Sequence, residues 1–426
     1  MCFLTWYFLN AIQKKKIIAP LSTAINLIAE IAYTLFDREW ENAPENDFLK
    51  ELYLLDKDVD YYDIREYIDK IIFQSYLFYP DAQVELRNVE QEVIEDSESF
   101  ENLIPLLNES RDTLLNILRT SLLAFSGKEW AAKILGESHP LYEDILNISK
   151  KIKGLFLYKG QDDENIFIEH IASGKAFNMA KKSFDYSTSL KEIDTILYLG
   201  IVKWLNEWWF SGVFFQQEYN ANLVQEEKNS IKSKAEVNFL VHQEQNITEI
   251  LKKQFDAFMD FTHQRQIVFI NSNEIDSFMR KYTDHFNTYL RLSKEEIEQA
   301  RHRSAVDNLN DFEKNRNLSP DDTDQSLIFF NPHSGAEVAF GICSAFPLPH
   351  NPYYKEDESK KHLINLLVSE ESSKELALYC INNCKDDLAF FKEDTGKLYL
   401  DHIDFLLRFW KRSLYYPVPS VSFSNN

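Results

Sequence analysis

Apolar residues recur at helical spacing through most of the first 150 positions. Ser22 to Phe36 carries them, and so does Tyr61 to Phe78 through Ile64, Ile68, Ile71, Ile72, Tyr76 and Leu77. A longer pattern from Phe100 to Phe125 keeps Leu103, Leu106, Leu107, Leu114, Leu115, Ile117 and Leu118 on one broad face. Such recurrence is the primary signal of an amphipathic helix. Pro44, Pro80 and Pro140 punctuate the connections.

The period then changes. Leu155 to Tyr158, Ile166 to Ile171 and Lys175 to Met179 are short apolar runs. Gly160, Asp162, Asp163 and Asn165, then Ala172-Ser173-Gly174, separate them. Short runs bounded by turn-formers predict strands and hairpins. Ile196 to Phe215 reads as two long strands rather than a buried helix. It is rich in aromatic and β-branched residues. Gly200 and Gly212 weaken a helix interior, and the polar pair Asn206-Glu207 at its centre suits a turn.

With that turn, Leu205 faces Trp208, Trp204 faces Trp209 and Lys203 faces Phe210. Side chains alternate across a strand, so the hairpin has two faces. One carries Tyr198, Val202, Trp204, Trp209, Val213 and Phe215. The other carries Leu199, Ile201, Lys203, Leu205, Trp208, Phe210 and Phe214. Only the second holds a charge, so the first is expected inside a small barrel. Lys203, Trp208 and Phe210 should then point outward and are the candidate binding residues.

Helix is expected again from about Glu226 to Thr262, followed by a strand at Gln266 to Ile270. Asn271 with Glu274 and Ser293 with Glu296 resemble capping boxes for two further helices. Asn317 to Gln325 reads as a polar loop. Ser326 to Ile342 holds a second hairpin around Asn331-Pro332-His333-Ser334-Gly335, and Asp401 to Trp410 is helical. The expected fold is α+β and predominantly α-helical. An embedded antiparallel SH3-like barrel occupies about 153–217, and a short hairpin about 326–342. The expected domains are an acidic helical part at 1–152, the barrel at 153–220, a helical region at 221–316 and an α+β part at 317–426.

Composition narrows the function. The chain has 426 residues, 14% of them aromatic, but only 10 glycines. Phosphate-cradling loops and nucleophile elbows consume glycine, so a nucleotide-binding α/β enzyme is disfavoured. The net charge is −22, and residues 37–101 hold 20 Asp and Glu against 6 Lys and Arg. Such a field repels nucleic-acid phosphates and attracts basic partners. Four cysteines form no disulfide framework and suit a reducing compartment. The apolar start, Met1 to Ile12, is followed rather than preceded by lysines, and is too short to span a bilayer. It reads as a core helix.

No motif specifies a reaction. Ser126-Gly127-Lys128 and Ser173-Gly174-Lys175 lack the outer glycine and the following hydroxyl of a P-loop. They read as a helix start and a hairpin turn. Asp256, Asp260 and His263 share a helix face, as metal ligands can, but Glu249 and Lys253 share it too, as on a solvated face. Cys380 and Cys384 resemble half a zinc site, with Cys343, His350, His362 and His402 as distant complements. Buried thiols explain the pair as well. His333-Ser334 lies in a turn, and His170 reads as a satisfied core histidine. Asp321, Asp322 and Asp324 lack the pattern of a calcium loop. The expectation is therefore a non-catalytic interaction protein of a bacterial-type cytoplasm, needing no cofactor and no membrane. It would use its acidic helices and aromatic hairpin to hold a basic protein partner. The alternative is a metal-dependent hydrolase, such as a nuclease, using scattered Asp, Glu, His and Cys.

Overall fold

The structure is a computed structural model. It describes residues 1–13, 18–40, 53–96, 103–230, 244–291 and 325–416, with isolated positions at 233, 237, 293 and 295. The fold is helix-dominated α+β, with a closed five-stranded barrel and a separate three-stranded antiparallel sheet. Two compact units are present. The first comprises Met1, Phe3–Lys16 and Ile28–His242. The second comprises Cys2, Ile17–Leu27 and Gln243–Asn426.

The first unit opens with α1 (Cys2–Ile12), where Trp6 and Tyr7 are buried, as expected of a core helix. The helical region continues through α2 (Thr23–Trp40, from Ile28 onward in this unit), α3 (Tyr61–Phe73), α4 (Val84–Asp96) and α5 (Leu103–Ile117). Asp60 caps α3 with a full capping box to Asp63. The long pattern ending at Phe125 is not one helix. After Ile117 the backbone turns, with Leu123 and Ala124 in the left-handed region. It re-enters helix at α6 (Gly127–Leu135), where Ser126 and Glu129 form a capping box. Ser126-Gly127-Lys128 is thus a helix start. A short α7 (Tyr142–Leu146) leads into the barrel.

The barrel strands are β1 (Ile152–Gln161), β2 (Asn165–His170), β3 (Ala176–Ala180), β4 (Ile196–Trp204) and β5 (Glu207–Gln217). Their order is β1-β2-β3-β5-β4, and β1 closes on β4. All pairings are antiparallel except β3 with β5, which run parallel and pair only at Met179 and Trp208. This order refines the SH3-like expectation. It is the order of an OB-type Greek-key barrel, another small five-stranded barrel.

Two details of the hairpin differ from expectation. The turn is Leu205-Asn206, with φ of +46° and +68°. Trp204 therefore faces Glu207, and Lys203 faces Trp208. A two-residue hairpin of the I′ kind needs positive φ at both central positions, and asparagine accepts it readily. The side-chain groupings survive this shift, but the faces are reversed. Leu199 and Ile201 lie in the barrel core with Phe156, Ile168, Phe177 and Met179, and Trp208, Phe210 and Phe214 pack against it. Trp209 instead meets Tyr61 and Tyr62 of α3. Both faces are apolar, and Lys203 sits one pair from the turn. Its charge does not commit its whole face to solvent.

After the barrel comes α8 (Ala221–Asn229). The second unit holds α9 (Glu244–Phe261), β6 (Ile267–Ile270), α10 (Ile275–Tyr289), β7 (Ser326–Asn331) and β8 (Gly335–Phe340). The hairpin expected at 326–342 is present, and β6 joins it as the third strand, antiparallel to β7. Phe258, Tyr282, Ile328 and Phe330 form the core there. The chain ends in α11 (Glu356–Val368), α12 (Lys374–Cys384), α13 (Ala389–Lys392), α14 (Asp394–Asp401) and α15 (Ile403–Trp410). The helix expected after Ser293 and the acidic loop with Asp321, Asp322 and Asp324 lie essentially outside the described residues. Among the described residues, no helix is long and apolar enough to cross a membrane.

Candidate functional site

The outer face of β4 and β5 packs on α3 and α5 around buried charge. Lys151 Nζ donates to Glu109 Oε1 at 2.9 Å and to Asp112 Oδ2 at 2.5 Å. Arg65 Nε donates to the other oxygen of Asp112. Lys153 reaches Glu109 Oε1 at 3.1 Å. Ser211 Oγ lies 2.9 Å from Asp112 Oδ2 and 2.9 Å from the Tyr61 hydroxyl. The side chains of Asp112, Lys151 and Glu109 are 0%, 4% and 6% exposed, so this is an interior ion cluster. Burial alone would push the Asp112 carboxyl up. The charges of Lys151 and Arg65 reverse that and hold it below its ordinary value. Burial, helped by the Asp112 charge, drives the Tyr61 hydroxyl well above its usual range. Nothing in the sequence analysis singled out these residues. Glu109 and Asp112 lie on the side of α5 away from its apolar stripe, where carboxylates read as ordinary surface charge.

The barrel surface carries a groove of about 400 Å³. It lies between β3 and the β4–β5 turn, lined by Asn165, Phe177, Asn178, Asn206, Glu207 and Trp208, with Ala176 and Ala180. It forms because β3 and β5 meet at one position only. Upstream of Met179, β3 runs alongside the turn rather than alongside a strand. Its edge there is covered by no strand among the described residues. Trp208 is half-buried and meets Phe177 edge-to-face with ring centroids 5.1 Å apart. Glu207 at the mouth pairs with Lys182 at 2.7 Å. Exposed Asp162, Asp163 and Glu164 form the neighbouring β1–β2 turn.

The three sequence candidates are neighbours here. Lys203 is the cross-strand partner of Trp208. Trp208 lines the groove from within the barrel wall. Phe210 packs on Phe184, and its carbonyl accepts from the Tyr62 hydroxyl. Phe210 also lines a second cleft, on the α3–α5 side. The arrangement therefore separates them: only Trp208 belongs to the groove.

Comparison with known proteins adds one finding. A family model described as a protein of unknown function, DUF3843, matches residues 1–169. That stretch covers α1 to α7, β1 and most of β2. No curated protein and no solved structure matches the chain.

The other sequence candidates fall apart as sites. Asp260 pairs with His285 at 3.1 Å, and His263 lies past the end of α9 at positive φ. Cys380 and Cys384 are buried in α12, and the Cys380 thiol donates to the Ala345 carbonyl. His333 and Ser334 form the β7–β8 turn. Among the described residues, no three His, Cys, Asp or Glu are gathered as a metal ion would need. His170 is buried, with Nδ1 2.9 Å from Ser173 Oγ.

Proposed function

We propose that this chain is a non-catalytic interaction protein whose barrel takes an extended, basic segment of a partner protein into the groove at Trp208. The observation that supports this most is the uncovered edge of β3 on the groove floor. An unpaired edge offers backbone donors and acceptors to an added strand, and strand addition is a common mode of peptide recognition. Asn165, Asn178 and Asn206 supply amides that satisfy a peptide backbone on both its donor and acceptor sides. Trp208 and Phe177 supply apolar contact.

The preference for a basic partner rests on charge. Exposed Asp162, Asp163 and Glu164 stand beside the groove, and Glu207 at its mouth is shared with Lys182. The chain as a whole carries −22, which steers cations toward it and phosphate backbones away. Buried free thiols at Cys343, Cys380 and Cys384 suit the reducing cytoplasm as its compartment.

The test is selection of peptides from a random display library on the purified chain, followed by hydrogen exchange with a selected peptide. Lys- and Arg-rich binders should emerge and protect amides within 174–180 and 204–209. Asn178→Lys, at an exposed position, should weaken them about tenfold or more. Protection confined to other segments, or unchanged affinity in that variant, would sink the proposal.

A further inference from the structure

A second cleft, of about 430 Å³, lies between α3, α5 and the middle of β5. Its size suits a small ligand. Helical spacing builds two of its walls. Tyr62, Arg65, Glu66 and Asp69 share one face of α3, and Asn108 and Arg111 stand one turn apart on α5. Phe210 and Gly212 of β5 complete it.

We infer that this cleft binds an oxyanion, the carboxylate or phosphate group of a small ligand. Two arginines enter it already oriented. Arg65 gives its Nε to buried Asp112. Its two terminal nitrogens have no hydrogen-bond partner among the described residues. Arg111 uses Nε and Nη2 in a two-pronged bond to Asp69, at 2.7 and 2.8 Å, and its Nη1 is left over. The two arginine side chains are 30% and 33% exposed, and both line the cleft. Fixed, planar guanidinium donors match oxyanions better than any other side chain does.

Charge counting supports the same ligand. Beneath the cleft, Arg65, Lys151 and Lys153 share only Glu109 and Asp112. Three cations against two carboxylates leave one positive charge in excess there, with Lys151 buried and Arg65 and Lys153 partly open to solvent. The other charges lining the cleft are paired: Asp69 with Arg111, and Glu66 with Lys70 at 2.9 Å. Glu90 adds a weaker pull on Arg111. A cation would find every lining carboxylate already engaged, whereas an anion finds free N–H groups. Asn108, exposed on the rim, adds a neutral amide donor.

Isothermal titration calorimetry on the full chain tests this, with inorganic phosphate and acetate as separate probes and ionic strength held constant with chloride. Saturable binding of at least one anion at a single site is the expected result. The tighter of the two probes distinguishes a phosphate-bearing from a carboxylate-bearing ligand. Asn108→Asp places a negative charge on the rim without touching a buried pair. It should raise the dissociation constant about tenfold or more and leave the urea midpoint unchanged. Arg65→Lys keeps the charge on Asp112 but loses the fork, and should weaken binding too. Saturable heat from neither anion, or wild-type affinity in both variants, overturns the inference.

Discussion

Lys151 occupies the space that a side chain on Gly212 would need. A Cβ built on Gly212 would lie 2.5 Å from Lys151 Nζ and 2.0 Å from Glu109 Oε2. A Cβ built on Gly200 of β4, the cross-strand partner of Ser211, would lie 2.2 Å from Cε of the same lysine. The two glycines thus open the barrel wall to a buried ion pair. Between Tyr198 and Gly200 the β4–β5 register shifts, and Gly212 lies in that bulge with φ of +89°. A bulge bends a strand and re-aims its neighbours. Here it also admits Glu109, whose Oε2 accepts from the Val213 N–H at 3.0 Å.

Gly212→Ala should therefore destabilise the first unit by about 3 kcal/mol, from left-handed strain plus collision with a buried ion pair. Urea unfolding followed by tryptophan fluorescence reads this directly. Gly174, also at positive φ but with open space around it, is the control. Gly174→Ala carries the strain term alone and should cost about 1 kcal/mol. Equal losses at the two sites would remove the steric part of the argument.

The barrel strands are legible from sequence because each is a short apolar run closed by Gly, Asp or Asn. Which hairpin face points inward is not legible, because Trp204 and Trp209 are as apolar as Trp208 and Phe210. The Tyr61 and Tyr62 rings of α3 cover Trp209 on that face, and that contact joins residues almost 150 positions apart. The ion cluster is hidden for a similar reason. Glu109, Asp112 and Lys151 look like ordinary surface charges until the fold buries them together. The pairing of β6 with β7 is likewise long-range, and no local pattern announces it. The groove depends on where β5 begins relative to β3, which a one-residue error in the turn is enough to hide.

Leu205 offers a test of that turn. It is 50% exposed and sits at φ +46°, a region that leucine rarely adopts. Little packing is lost on replacing it. Leu205→Asn should raise stability by about 0.5–1 kcal/mol, since asparagine accepts a left-handed position in this kind of turn. A lower urea midpoint in the variant would mean that the leucine makes contacts worth more than its strain.

His170 should make the barrel acid-sensitive. Burial lowers its pKa from 6.5 to about 4. The Ser173 N–H donates to Nδ1 at 3.3 Å, so that nitrogen accepts and the neutral ring is the form that fits. Between pH 6.5 and 4 the unfolded chain binds the proton that the folded chain refuses. Stability from this group is thus complete above pH 6.5 and is lost as pH falls through that window. The shift corresponds to at most about 3 kcal/mol. Urea midpoints at pH 7 and pH 4.5 should differ more for the parent chain than for His170→Gln. Equal differences would mean that other groups carry the acid response.

Lys411 should act in the opposite pH range. Its ammonium is fully buried behind α15 and donates to the Ser369 carbonyl at 2.9 Å, the Ser372 carbonyl at 2.8 Å and Ser372 Oγ at 2.9 Å. Three acceptors satisfy all three of its N–H groups. Burial still pushes its pKa down to about 7, against the pull of Glu337 and Glu375. Between pH 7 and about 10.4, the ordinary lysine value, the unfolded chain holds the proton more tightly. Stability therefore rises with pH across that window and is independent of this group below it. Glu337 works the other way at lower pH, because burial raises its pKa and favours its neutral form. Lys411→Met separates the two. It should cost stability at every pH, by leaving the Ser369 and Ser372 carbonyls without their donor. It should also flatten the rise between pH 7.5 and 10, while the Glu337 response at acid pH persists and grows, because the Lys411 charge that held that carboxyl down is gone. An undiminished rise in the variant would assign that pH dependence to another group.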